Sequence, residues 1–365
     1  MKKLVAISVA LLASLTMAAS AQATGETVVG TSNLVPLKGS FYQEAARPAD
    51  LTVRAEVNTP ESATKVLPMK RTTVTFPTGM TFNPNNKVTP PCTDDKLNDQ
   101  SDLSNAAGIV QSCASSVVGT GTSTIYIGKQ KSVPIADPIL VVFSAGTDSQ
   151  GRAKVKIYGY SKFTNVGILM SGTLKGRVLD IAIPMLSLDS AVKYFELQIP
   201  GPLLDRQDIG VKAQGRDKNY VHAICPASGK LFTDSVFELG ERDPSTGNPV
   251  GGTTTVSSPQ TSQDCTGLAG KAKAKVKVKG PKSVKSGKKG AFKVTITNTG
   301  TATAKATKVT APGGKASAGN IAPGKSKTVT VKAKVKGKKG KKAVVKFTVK
   351  GKGFSASAKA KVKVK

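Results

Sequence analysis

The 365-residue sequence has no Trp and a single His, and its last hundred residues contain no Asp, Glu, His, Cys or Arg. Each absence excludes something. Sugar-binding faces usually offer aromatic platforms, and here aromatics make up only 5% of the chain. Tyr158 and Tyr160, two apart on an alternating run, are the best pair for such a face. A Ser-His-Asp triad needs its His beside a nucleophile and an acid. His222 is the lone His, there is no G-x-S-x-G, and Ser115, Ser116 and Ser123 sit in a Ser/Thr/Gly-rich stretch that reads as loop and strand starts. No C-x-x-C occurs, and His222 lies three residues before Cys225 without a matching second pair, so the spacing of a zinc site is missing. The densest acids, Asp94, Asp95, Asp99 and Asp102, lack the spacing and the Gly of an EF-hand loop and read as a helix start and a solvated loop. No Gly-rich phosphate loop is present. The sequence therefore reads as a non-enzyme with no cofactor and no metal. An extracellular hydrolase is the weakest of the alternatives.

Long apolar runs are also scarce. The one at the N-terminus follows Met1-Lys2-Lys3, extends from Leu4 to about Met17, and precedes Ala21-Gln22-Ala23. A short basic start, an apolar stretch and an A-x-A site predict a signal peptide over 1–23. The run is short of the ~20 residues that span a bilayer, and no later segment reaches that length. The expected product is secreted, extracellular or wall-associated, with no transmembrane segment in the mature chain.

What the sequence has in excess is lysine. Net charge is +32, with 54 basic residues against 22 acidic ones. Of the basic residues, 29 are lysines within 266–365; the other 25 face all 22 acids, so the preceding chain carries only +3. These lysines are patterned. Lys271, Lys273, Lys275, Lys277 and Lys279 alternate with Ala and Val, as do Lys359, Lys361, Lys363 and Lys365. Lys332, Lys334 and Lys336 alternate with Ala333 and Val335. Strict period 2 predicts strands, each carrying ammonium groups at a pitch of about 6.6 Å. Phe292, Val294 and Ile296, and Val345, Phe347 and Val349, supply apolar faces for the same module.

Composition predicts two all-β sandwich domains: 24–246, a larger sandwich or jelly roll, and 271–365, a Lys-rich one. Between them, 247–270 is rich in Gly, Ser, Thr and Pro and reads as a linker or long loop that includes Cys265. In the first domain, alternation at Leu51–Val57, the continuous apolar run Ile139–Phe143, and Lys154–Tyr160, Val178–Ile183, Tyr194–Ile199 and Leu231–Leu239 predict strands. Ile125–Ile127 reads as a short one. One helix is expected, Asp94–Asn98, capped by Thr93. Four Cys in an exported chain suggest two disulfides, with three ways of pairing. The favoured pairs are Cys92–Cys113, closing the Asp-rich loop, and Cys225–Cys265, pinning the end of the domain.

The stretch Gly290-Ala-Phe-Lys-Val-Thr-Ile-Thr-Asn-Thr-Gly300, followed by Lys305–Pro312 and by Asn320-Ile-Ala-Pro-Gly-Lys-Ser-Lys-Thr-Val-Thr-Val331, resembles the bacterial cell-adhesion-related Ig-like β-sandwich, the CARDB type. That resemblance covers about 90 residues and implies an Ig-like spacer or adhesion unit. It implies no particular ligand, and this module departs from the family in its one-sided charge. The front domain resembles secreted bacterial β-domains through its Phe-Pro-Thr-Gly-Met turn and its Pro-Pro-Cys and Ile-Cys-Pro segments; this resemblance implies no activity. The expected function is non-catalytic: the basic module contacts an anionic wall or extracellular polymer by charge. Lacking Arg and interleaved aromatics, it is not expected to read nucleic-acid sequence. The alternative is an adhesin or carbohydrate-binding protein acting through the front domain.

Overall fold

The computed structural model describes residues 25–63, 66–98, 102–127, 131, 133–184, 190–243 and 249–365. The expected signal peptide and Asp99 lie outside the described residues. The molecule is all-β, built as two sandwich modules.

The front module contains β1 (Thr27–Pro36), β2 (Arg47–Asn58), β3 (Met69–Thr75), β4 (Thr81–Phe82), β5 (Val117–Ile127), β6 (Ile139–Thr147), β7 (Ala153–Ser161) and β8 (Val166–Lys175). It continues through β9 (Val178–Ala182), β10 (Ser190–Ile199), β11 (Leu204–Arg206), β12 (Val211–Ala213), β13 (Val221–Ala223), β14 (Lys230–Arg242), β15 (Pro249–Ser257) and β16 (Thr261–Asp264). Except for the small β11–β12 pair, these strands form one antiparallel sheet in the order β15-β14-β3-β9-β8-β7-β6-β5-β10-β2-β13-β4, with β1 on β2 and β16 on β14. The sheet folds over so that its inner faces share one core, from Leu34 and Leu51 through Leu140 and Ile157 to Ile181 and Leu231. Where its ends meet, side chains replace the missing backbone ladder. Ser258 Oγ accepts from the Gly30 amide at 2.9 Å, and Gln263 both accepts from the Leu34 amide at 2.7 Å and donates to the Leu34 carbonyl at 2.8 Å. This satisfies part of an otherwise open strand edge.

The apolar run Ile139–Phe143 is continuous because β6 is covered on both sides. Leu140 and Val142 face the sandwich core; Ile139, Val141 and Phe143 face a helical insert. That insert comprises α1 (Asp94–Asn98) and α2 (Ala106–Ser112), which bury Leu97, Ile109 and Val110. The second helix departs from the sequence expectation of a single one. Asn105 caps it, its side-chain oxygen accepting from the Gly108 amide at 2.9 Å. The disulfide Cys92–Cys113 closes the insert, and the Tyr158 hydroxyl donates to the Leu103 carbonyl at 2.6 Å.

Lys156 is buried beneath this insert, 6% exposed, and its Nζ lies 2.5 Å from Asp94 Oδ1. That hydrogen bond, helped by the Coulomb attraction of the ammonium, holds the Asp94 carboxyl below the usual carboxylate range. A lowered carboxylate contributes stability above its unfolded pKa, and the contribution disappears as pH falls through the folded value. Asp94→Asn should therefore lower the melting temperature by a few degrees at pH 7, with the gap to the natural chain closing as pH falls through the lowered value of the Asp94 carboxyl. Paired thermal melts at pH 7 and over a falling pH series check this.

Two further expectations need correction. Residues 247–270 are not simply a linker: Pro249–Ser257 pairs with β14 from Val236 to Arg242, and Thr261–Asp264 pairs with Lys230–Thr233. The short strand at Ile125–Ile127 is the end of the 11-residue β5, which begins at Val117. Small residues make that strand fit. A Cβ on Gly119 or Gly121 would approach the carbonyl oxygens of Gln198 and Glu196 at 2.4 and 2.0 Å, so β10 comes closer there than any side chain allows.

The second module contains β17 (Ala274–Lys279), β18 (Ser283–Val284), β19 (Lys289–Asn298), β20 (Ala304–Ala311), β21 (Gly314–Ile321), β22 (Ser326–Lys334), β23 (Lys342–Gly351) and β24 (Phe354–Val364). One sheet runs β17-β19-β22 and the other β18-β24-β23-β20-β21. Phe292, Val294, Ile296, Val331, Val345, Phe347 and Val349 are buried between them, with the Phe292 and Phe347 ring centroids 5.1 Å apart.

The joint between the modules is held on both sides. Cys265 is bonded to Cys225. The Leu268 amide donates to the Phe41 carbonyl at 2.9 Å, and the Gln43 amide donates to the Leu268 carbonyl at 3.2 Å. Glu44 Oε2 accepts from the Thr303 amide at 2.6 Å. Its carboxyl is held below the usual range by these Thr303 hydrogen bonds and, to a smaller degree, by Lys305.

Candidate polyanion-binding faces

Alternation puts the apolar residues of the second module inside and its lysines outside, as strand geometry requires. On the first sheet the outward residues of β17 are Lys275, Lys277 and Lys279, all exposed. Lys271 and Lys273, expected on the same strand, precede it; they meet the 299–301 turn, with the Thr301 amide donating to the Lys271 carbonyl at 2.9 Å. Across the sheet, Lys279 stands opposite Lys293, and Lys289 opposite Lys334. Lys332 shares the face of Lys334, while Lys336 follows β22. One corner of this face is a hydroxyl ladder: Thr295 with Thr328 at 2.9 Å and Thr297 with Ser326 at 2.7 Å.

The second sheet is more heavily charged. Lys342 stands opposite Lys363 and Lys346 opposite Lys359, with Lys361 between them facing Val344. On the other side of β23, Lys350 faces Lys308. Lys365 ends the chain beside β18, its amide donating to the Val284 carbonyl at 3.0 Å. Five cross-strand Lys–Lys pairs thus lie on two faces turned away from each other across the core. Directly opposed Cβ atoms are about 5 Å apart, and like charges so placed destabilise a sheet. No carboxylate side chain exists within 266–365 to offset them. Lys289, Lys293, Lys308, Lys342, Lys346 and Lys350 complete these faces and are absent from the sequence-derived set. Their signal was present in the alternation, but their partners depend on register.

Asn298 holds the end of the module nearest the joint. It is fully buried; its Nδ2 donates to the Ala302 and Ile321 carbonyls at 2.8 and 2.9 Å, and its Oδ1 accepts from the Gly300 amide at 2.9 Å. This is the Asn of the Asn-Thr-Gly segment that closes the stretch 290–300. It fixes the turns that lead into β20 and out of β21.

The other candidate residues do not converge. His222 lies on β13 between Pro48 and Thr81, and burial, opposed by Asp217, pushes its pKa down. Ser123 Oγ donates to the Tyr194 carbonyl at 2.8 Å. Asp102 accepts from the Ser104 amide and hydroxyl at 2.8 and 2.6 Å. No group of three or more His, Cys, Asp or Glu placed to hold a metal occurs among the described residues. Tyr158 and Tyr160 are buried against the helical insert, so they form no platform for a sugar. No helix among the described residues is long and apolar enough to cross a membrane.

No family model matches the chain, and no curated protein matches it. Among solved structures, it is similar to the T6 backbone pilin of serotype M6 Streptococcus pyogenes, described as a modular three-domain structure decorated with variable loops and extensions, at 10% identity and a TM-score of 0.23. The match covers 92% of this chain and 52% of the pilin, so the chain spans about half the pilin's length.

Proposed function

We propose that this is an exported, non-catalytic protein of the cell surface or its surroundings, whose C-terminal sandwich holds anionic polymers by charge. The observation that carries the reading is the set of five directly opposed lysine pairs in a module without a single acid. Keeping a protein soluble needs a few charges. Setting like charges opposite one another costs stability, and a bound polyanion offsets that cost. Lysine is a compact point charge suited to phosphate or sulfate, without the planar fork that confers specificity. The two disulfides fit an oxidising, extracellular setting. The buried Asn298 and its turns are in keeping with a cell-adhesion-related Ig-like module. With basic faces back to back, one molecule can engage two polymer chains.

The full chain, passed over heparin, a phosphate-containing wall polymer and DNA, should be retained on all three near 0.15 M salt. It should elute from each before 1 M, because exposed charges are screened over about 8 Å at physiological salt and 3 Å at 1 M. Passage without retention, or retention that survives molar salt, would refute the electrostatic reading.

A further inference from the structure

The core of the front sandwich is not filled. A cavity of about 160 Å³ opens between β3, β8 and β9 on one side and β5, β6 and β10 on the other. Native interiors are packed closely, with few voids larger than a water molecule. An apolar space near 150 Å³ stays dry and accepts a small hydrocarbon. The lining includes Ile125, Ile157, Ile168, Met170, Phe195 and Leu197, and no charged side chain among the described residues.

Strand register shows that the space is long. Thr72 pairs with Ile181, and Ile181 with Gly172; Met170 and Ile168 follow along β8, and Val166 closes the row opposite Ser161. Gly172 to Val166 is six residues, or about 20 Å of strand. Gly159 keeps the middle open, since a Cβ there would come within 3.1 Å of Ile168 and 3.2 Å of Leu140. The segments framing the Val166 end are unusually greasy on the outside: Val133 is 84% and Phe163 72% exposed.

Hydroxyls in the lining define the polarity. Ser161 donates to Asp137 at 2.7 Å, and Ser123 is taken by the Tyr194 carbonyl. Thr72 is different: it is 2% exposed, and its Oγ1 has no hydrogen-bond partner. Buried polar groups are seldom left so. We propose that this cavity binds a neutral, unbranched apolar molecule with one hydrogen-bonding oxygen, held by the Thr72 hydroxyl. The elongated shape suits an unbranched chain. The absence of charge among the described lining residues selects against a carboxylate or phosphate head.

The test uses the full chain and the neutral fluorophore N-phenyl-1-naphthylamine, displaced by 1-decanol or by decanoate at pH 8. The fluorophore should bind, and 1-decanol should displace it at concentrations at least tenfold below those decanoate requires. Thr72→Val, nearly isosteric, should weaken 1-decanol about five- to tenfold, the worth of one hydrogen bond, and leave the fluorophore's own affinity within twofold. Gly159→Leu should abolish binding. If that variant fails to fold, the Thr72→Val comparison decides alone. Absence of fluorophore binding, equal displacement by alcohol and carboxylate, or no change in Thr72→Val would overturn the proposal. None of these outcomes depends on the lysine faces.

Discussion

A chain in which Lys342, Lys346, Lys359 and Lys363 are all replaced by Gln elutes from heparin at markedly lower salt than the natural chain, and its basic module melts at a higher temperature. Both effects come from the same four side chains. They form two of the cross-strand pairs on the β23–β24 face. Each polymer charge neutralised by a lysine releases a counterion and contributes about one to the slope of log affinity against log salt. Losing four contacts lowers that slope by about 2–4 and the affinity near 0.15 M salt by tenfold or more. Without polymer, the same change removes two like-charge pairs, which for a unit of this size raises the melting temperature by about 2–8 °C. Column elution, a salt series and calorimetry read the two signs separately. Unchanged elution would place the contact elsewhere, and an unchanged or lower melting temperature would mean that the opposed lysines do not strain the sheet.

Phe347→Ala is expected to unfold the basic module at 37 °C while leaving the front sandwich folded. Phe347 is fully buried against Phe292, at the centre of a core otherwise made of Val, Ala and Ile. Truncating a buried Phe costs about 3–5 kcal/mol, against a total of about 5–15 for an ordinary domain, and the facing lysines already draw on that margin. Hydrogen exchange should show β19 and β23 exposed and β6 and β7 protected. Heparin at a hundredfold excess over its dissociation constant should restore about 2.7 kcal/mol, enough to refold much of the population. A single merged transition in the variant would mean that the joint at Leu268 and Glu44 couples the modules into one cooperative unit.

Alternation made the second module the more legible of the two. Phe292-Val294-Ile296 and Val345-Phe347-Val349 announce their faces, and the lysines announce the opposite ones. Register was hidden. Nothing local says that Lys346 meets Lys359 or that Lys350 meets Lys308, because the loops between strands set those pairings. In the front module the run Ile139–Phe143 was readable as buried, but the helical insert responsible was only half visible. Asn105 was an available cap signal, but Gly108 inside Ala106–Ser112 weakens the helical pattern. Val117–Thr124 and Pro249–Asp264 have the composition of loops and are strands because β6, β10 and β14 recruit them. Tertiary pairing overrides a weak local preference there. The cavity had no local signature, since its walls come from strands scattered over 68–197.

The disulfide at the joint also decides how the molecule carries tension. If the basic module grips a polymer while the N-terminal end is restrained, the pull reaches the front sandwich at Cys265 and crosses directly to Cys225 through the covalent bridge. Residues 226–264, including β14, β15 and β16, form a loop outside the loaded path. These strands cannot be peeled off one after another from the tail end. The stretched line instead runs through β13 and the chain before it, and reduction of this one bond would turn a mechanical clamp into a zipper.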